Sequence, residues 1–311
     1  MTRPLRIGTR GSALALRQTE LVVNALRSAL PDIMLELRVI KTEGDRNQRQ
    51  SLRVIGGRGV FVRGIEQRLI ASEIDIAVHS LKDLPTAPTA GLTLAAVLQR
   101  ESPFDVLVTP HGGLHTLPDG ARIGSSSPRR AAFVRAIRPD VRVEDVRGNI
   151  DTRLRKLDEG QYDALLLAAA GLHRLGLHQR IAHVFSADEM LPAPGQGALV
   201  AQCRSDDAET LDLLRAIDHA PTHAATDAER AFLHGVGAGC RWPVAALAVT
   251  ATPAGLHLRA ALAREDDARI IRGEATGALT DAETMGATLA RQLLSRASDG
   301  DGNGQTQEPL R

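Results

Sequence analysis

The chain predicts an α/β fold of several domains, and three observations carry that expectation. Strand-like and helix-like segments alternate along roughly the first two hundred residues, the pattern of mainly parallel sheets covered by helices. A length of 311 residues is about twice that of an ordinary domain, so each part is large enough for its own core. Hydrophobic residues at 43% and charged residues at 24% match a folded globular protein and not a disordered one.

Leu5–Thr9 reads as the first strand. Ser12 caps a helix from Ala13 to Leu30, which Pro31 ends. Ile33, Leu35, Leu37 and Val39 alternate with polar residues, as a half-buried strand would. Residues 42–59 are polar and glycine-rich, a mobile loop. Val60–Ser72 has helical spacing, and Ile74, Ile76 and Val78 form a strand that ends in the loop Ser80–Pro85. Ligands collect at the carboxyl ends of strands in such sheets, so that loop is placed for chemistry.

A second unit begins near residue 100. Asp105–Thr109 and Ala121–Gly124 are strand-like, Ser125–Arg130 opens a helix closed by Pro139, and Val141–Val146 is a strand. Arg147-Gly148-Asn149 leads into a helix from Ile150 to Asp158, before a buried strand at Ala164–Ala168. Ala198–Cys203 reads as a strand outside this unit that returns to the first lobe, making two crossings that act as a hinge. After about residue 220 come a helix, Thr222–His234, and a glycine-rich turn, Gly235–Cys240. Three antiparallel strands follow, Val244–Thr250, Leu256–Ala263 and Arg269–Glu274, and a helix from Asp281 to Arg296 closes the unit. The expected domains are 1–99 with 198–218, then 100–197, then 219–296, with 297–311 a disordered tail.

Several function classes have no support. Lys and Arg total 38 against 37 Asp and Glu, so the net charge of +1 offers no hint of a polyanion partner. That total hides a split of +8 over residues 1–155 and −7 over the rest, and a bias of 35 Arg to 3 Lys. A GC-rich genome is one explanation of the bias, and arginine's planar fork for carboxylates and phosphates is another. The uncharged run Ala164–Leu172 is half a membrane span, and Met1–Pro4 leads directly into a strand. A cytoplasmic protein is therefore expected. Cys203 and Cys240 lack metal-ligand spacing, so no metal is expected. Aromatics at 2% leave little for bases to stack on, which counts against nucleic acid.

Other segments could carry chemistry. Ser125-Ser126-Ser127-Pro128-Arg129-Arg130 combines a cap, proline at the first helical position and two arginines, an anion site or an ordinary capped helix. Arg147-Gly148 with Arg153, and Arg10 with Ser12, offer two more positive strand ends, and three of them facing one cleft would suit a polycarboxylate. Asp83, after Lys82, is either a general acid or base or half of a surface ion pair. His79 alternates with core residues and reads as structural. Cys240 follows glycines at 235, 237 and 239 and is either an accessible nucleophile or a small buried residue, while Cys203 sits in an apolar strand.

The segments IDIAVHSLKDLP at 74–85, GSSSPRR at 124–130, VRGN at 146–149, AGLHRLGL at 170–177, LPAPGQGAL at 191–199 and GAGC at 237–240 closely resemble the porphobilinogen deaminase (hydroxymethylbilane synthase) family. The match runs in order from about Leu5 to Ala290. It implies a cytoplasmic, monomeric transferase of tetrapyrrole synthesis with two periplasmic-binding-protein-like lobes, a hinge and a small α+β third domain. Four porphobilinogen molecules would be joined head to tail with loss of ammonia, on a dipyrromethane cofactor held by a thioether to Cys240, and released as hydroxymethylbilane. The resemblance makes Asp83 the catalytic carboxylate. It assigns Arg10, Arg129, Arg130, Arg147, Arg153 and Arg174 to the carboxylates of cofactor and substrate, with Ser12, Gln18, Lys82, Ser125, Ser126, Ser127, Gly148 and Gln196 in support. Arg58 and Phe61 then belong to a mobile segment covering the cleft.

The chain departs from the family pattern at several positions. Arg58 replaces a lysine, Gly64 a glutamate and Ser125 a threonine, while Arg241 and Trp242 follow the cysteine where a glutamine or arginine and a smaller apolar residue are common. None removes a group the chemistry needs. The competing expectation is a non-catalytic two-lobed polycarboxylate-binding protein, for which Cys240 and the third domain would be superfluous.

Overall fold

The structure, a computed structural model, describes residues 3–40, 62–237, 243–252, 255–263 and 269–301, with side chains as far as Ser298. The loop 42–59 with Arg58 and Phe61, the cysteine Cys240 with Arg241 and Trp242, and the tail beyond 301 lie outside the described residues.

The α/β expectation holds, with three sheets. The first contains β1 (Leu5–Arg10), β2 (Leu35–Ile40), β3 (Ile76–Ser80) and β4 (Leu92–Val97). The second contains β5 (Asp105–Val108), β6 (Arg122–Gly124), β7 (Arg142–Glu144), β8 (Ala164–Ala168) and β9 (His183–Val184). β10 (Leu199–Arg204) returns to the first sheet, whose order is β2-β1-β3-β10-β4. β11 (Val244–Thr252), β12 (Gly255–Ala263) and β13 (Ile270–Ala278) form an antiparallel third sheet.

The first two sheets are mixed and not mainly parallel. β1 pairs in parallel with β2 and β3, whereas β10 runs antiparallel to β3 and β4, because it enters from the second unit. In the second sheet, β6 is parallel to β7 and β8, and β5 is antiparallel to β8 and β9. β2 is an edge strand whose Leu37 and Val39 are exposed, so its alternation does not mark a half-buried face.

The helices fall mainly where caps and periodicity put them. α1 (Ala13–Ala29) starts at Ser12, which accepts from Ala15 N. α2 (Arg63–Ile70) is shorter than the Val60–Ser72 expectation. α3 (Pro128–Ile137) is capped by Ser127, α4 (Ile150–Asp158) follows Asn149, and α5 (Ala169–Arg174) continues directly from β8. α6 (Ala208–Arg215), capped by Asp207, was not anticipated, nor was β4. α7 (Ala220–Val236) and α8 (Ala282–Asp301) pack together, and α8 runs past Arg296, so 297–301 are helical and not tail.

Packing places the third sheet as a wedge. Ala245 and Leu247 of β11 join Phe133 and Phe185 in the core beside the second sheet, while Ala246 and Ala248 join Phe232 and Leu289 under α7 and α8. Alternate residues of one strand thus fill two cores. The chain crosses between the first two sheets at 98–104 and 192–198. Gly197 has φ +89°, and a Cβ there would lie 2.3 Å from the Glu101 carbonyl oxygen, so only glycine lets the crossings approach this closely.

At the end of the first sheet away from these crossings, the Asp75 side chain is fully buried and binds Arg3 (2.8 Å), Arg6 (2.9 Å) and Arg204 (3.3 Å). Burial alone would raise its pKa, but the hydrogen bonds from Arg3 and Arg6 hold it below the usual carboxylate range. A depressed carboxyl stabilises the fold above its unfolded pKa and ceases to as pH falls. Asp75→Ala is therefore expected to cost about 2–3 kcal/mol in denaturant unfolding at neutral pH, with the deficit shrinking below about pH 4. An unchanged midpoint at neutral pH would contradict this role.

Candidate functional site

A cleft of ≈ 210 Å³ lies where the first and second sheets face each other. The first contributes Arg10 at the end of β1, Ser12 and Leu14 at the start of α1, and Ser80, Lys82 and Asp83 after β3. The second contributes Gly148–Asp151, Arg153, Leu167 and Ala168 at the end of β8, and Arg174. The short 3-10 helix Leu81–Asp83 displays Asp83 on this wall, and Pro85 stops its extension. Strand ends and helix starts thus converge, as expected for ligand binding at the carboxyl edges of such sheets.

Among the described residues of the wall, five side chains are cationic (Arg10, Lys82, Arg130, Arg153 and Arg174) and two acidic (Asp83 and Asp151). Several of these cations are poorly solvated. Lys82 is pushed down to about 8, by burial first and then by Arg130, with Asp83 and Asp105 opposing and Arg129 adding to the fall. Burial likewise brings Arg153 to about 10, helped by the charges of Arg130 and Arg147. It brings Arg174 to about 10 against the attraction of Glu101. Arg153 Nε donates to the Gly148 carbonyl (2.8 Å) and Arg174 Nη2 to that of Gly197 (2.6 Å), which aims both groups without neutralising them. Such a wall favours a ligand with several carboxylates.

Other expected residues stand in or behind the wall. Gln18 lines it and donates to Ser80 Oγ (2.8 Å), and Gly148 forms it with φ +109°. Ser125 Oγ accepts from Ser127 N, Ser126 Oγ donates to the Val146 carbonyl, and Ser127 caps α3 through Arg130 N. All three serines build the helix start and do not line the wall. Arg129 is buried against Asp105 (2.7 Å) and the Leu191 carbonyl (2.7 Å). Arg147 lies outside the wall, 3.9 Å from Asp145. Gln196 is buried and directs its amide to Pro103 O, Asp105 and Lys82.

Leu14, Ile150, Leu167 and Leu175 supply apolar surface that sequence reasoning did not single out. Gly171 makes room for Ile150, since a Cβ there would lie 2.8 Å from Ile150 Cδ1. Asp151 and Asp105 were missed too. Asp151 lies two residues after the noted Arg147-Gly148-Asn149 turn, whereas Asp105 looks like the polar first residue of an apolar strand.

His79 is buried and lowered to about 4 by burial, so it is neutral near pH 7, in keeping with a structural role. Cys203 is buried within β10, where burial, aided by Asp207, pushes the thiol up to about 11. A thiol held protonated this way is a poor nucleophile.

Two family models match the chain in succession. "Porphobilinogen deaminase, dipyromethane cofactor binding domain" covers residues 5–212, and "Porphobilinogen deaminase, C-terminal domain" covers 224–295. The porphobilinogen deaminase of Desulforudis audaxviator is 47% identical over 295 residues, 94% of this chain and 95% of that protein. That of Thermus thermophilus is 46% identical over 94% of this chain and 96% of its own length. Among solved structures, the VFT2 domain of Bordetella pertussis BvgS covers 69% of this chain and 86% of its own, with 16% identity and a TM-score of 0.43.

The Lys82 environment generates a test that needs no substrate. Binding of tricarballylate, followed by calorimetry, is expected to weaken as pH rises through about 8, where Lys82 loses its charge. Lys82→Arg should flatten that dependence. Affinity of the unaltered protein that stays constant across this range would show that Lys82 does not take part in anion binding.

Proposed function

Because the chain belongs to the porphobilinogen deaminase family, we propose that the cationic cleft around Asp83 is its active site. The protein is a transferase of tetrapyrrole synthesis that makes hydroxymethylbilane from porphobilinogen and uses a dipyrromethane cofactor. The observation carrying the assignment of the site is the set of five cations around one strand-end carboxylate. Those cations fit a cofactor and substrate that both carry acetate and propionate groups. When bound, the dipyrromethane supplies the pyrrole carbon to which the first substrate unit is joined.

Arg10, Lys82, Arg130, Arg153 and Arg174 bind the carboxylates, supported by Ser12, Gln18 and the Gly148 backbone. Arg129, Arg147, Ser125, Ser126, Ser127 and Gln196 support them from behind. Leu14, Ile150, Leu167 and Leu175 cover the pyrrole faces and keep out water. Asp83 protonates the departing amino group of porphobilinogen, and its carboxylate then stabilises the positive charge left on the substrate as ammonia leaves. Each addition brings two more carboxylates, which surplus cationic charge can accept.

Cys240 holds the cofactor by a thioether. The high pKa and burial of Cys203 support this choice between the two cysteines. The domains are 1–99 with 198–218, 100–197 and 219–296, the last lengthened by the helical residues 297–301, a division supported by sheet membership. The two crossings flex as the product lengthens. The enzyme works as a cytoplasmic monomer without nucleic acid, and no helix among the described residues is long and apolar enough to cross a membrane.

Intact-mass spectrometry of protein from cells making porphobilinogen should show the chain plus two porphobilinogen-derived units, and the bare chain for Cys240→Ser. Asp83→Asn is expected to keep the adduct and lose about 10²-fold or more of turnover. An adduct that survives Cys240→Ser, or near-normal product formation by Asp83→Asn, would contradict these assignments.

A further inference from the structure

Asp105 opens β5 immediately after the first crossing, and its side chain has no solvent exposure. Its carboxylate holds the two arginines in the first turn of α3, Arg129 Nη1 at 2.7 Å and Arg130 Nη2 at 2.7 Å, with Arg130 Nε donating at 2.8 Å. Gln196, on the second crossing, donates to the same carboxylate at 3.0 Å and to the Pro103 carbonyl at 2.7 Å. The Gln196 Oε1 atom accepts from Lys82 Nζ at 3.2 Å. A continuous chain of polar contacts, buried at Asp105 and Gln196, therefore runs from the arginine pair of α3 to Lys82, the residue next to Asp83 in the first lobe.

Charge decides what this chain can do. Arg129, Arg130 and Lys82 repel one another, and Asp105 is the carboxylate that the two guanidiniums share. Burial opposes its ionisation, but Arg129 and Arg130 hold its pKa below the usual range, so it is charged whenever the enzyme works. One carboxylate cannot neutralise both guanidiniums. Arg129 also donates to the Leu191 carbonyl and Arg130 Nη1 to the Leu166 carbonyl at 3.0 Å, and of the two it is Arg130 that lines the cleft wall. Gln196 lies on the second crossing and touches groups of both sheets.

We propose that Asp105, acting through Gln196, is a positioning residue: it fixes Arg130, which grips a substrate carboxylate, relative to the Lys82–Asp83 segment, which carries the proton. The inference rests on the functional reading above. An error of about 1 Å in such a relation is enough to cost about 10²-fold in rate.

The test uses holoenzyme with porphobilinogen. Asp105→Asn should lower kcat/KM about 10²-fold, with KM raised about tenfold. It should also move the alkaline limb of the pH profile below that of the wild type, because Asp105 supports the charge on Lys82 against Arg129 and Arg130, with Asp83 the other nearby carboxylate. Asp105→Glu should recover part of the KM loss. Gln196→Met leaves the Asp105–arginine contacts in place, so kcat should fall about tenfold with KM little changed. Should Asp105→Asn fail to fold, Gln196→Met carries the test, and wild-type kcat in that variant overturns the proposal. Loss of activity in Asp105→Asn with KM and the alkaline limb unmoved would overturn it as well. Wild-type enzyme that fails to consume porphobilinogen would instead refute the functional reading, whereas normal wild-type turnover with unaffected variants refutes only the role of Asp105.

Discussion

Positive charge withheld from water is the constraint around which this molecule is built. A guanidinium or ammonium group out of water is costly unless a carboxylate shares the burial. Here two of the buried carboxylates, Asp105 and Glu229, hold arginines where the chain crosses between sheets, and Asp75 does so at the far end of the first sheet. Asp105 takes Arg129 and Arg130. Glu229 of α7 takes Arg100 in a two-pronged pair, at 2.6 and 3.1 Å, and also accepts from Gly195 N and Ala248 N. Arg100 in turn donates to the Gln196 carbonyl. The crossings are thus held by charge and hydrogen bonds, and the third sheet is joined to them through the Ala248 amide.

Among the described residues, Lys82, Arg153 and Arg174 face the cleft with no salt bridge to a carboxylate. Burial, more than neighbouring charge, lowers the pKa values of Lys82, Arg153 and Arg174, so each charged form would gain from an added anion. A ligand with many carboxylates supplies it. The net charge of +1 gives no sign of this, because the +8 of residues 1–155 is cancelled by acidic residues elsewhere in the chain. For an enclosed ligand, the local balance governs binding.

Much of this was legible in the sequence, for identifiable reasons. Ser12 and Ser127 announce helix starts because capping is local, and Asp83 announces itself by its place between a strand and a proline. β10 was legible as a strand foreign to the second unit. β2 misled because alternation does not reveal which strand will lie at an edge. Asp105 was hidden because its partners Arg130 and Gln196 lie 25 and 91 residues away. Nothing local distinguishes Arg129 from Arg130 either. They are adjacent in one motif, yet one is turned to the Leu191 carbonyl and the other reaches the cleft.

A crystal structure of the holoenzyme tests the central claim most directly. The account predicts continuous density from Cys240 Sγ to a dipyrromethane whose carboxylates meet the arginines of the cleft, with Asp83 within hydrogen-bonding reach of it. Density for the cofactor on Cys203, or carboxylates bound away from Arg10, Arg130, Arg153 and Arg174, would contradict it.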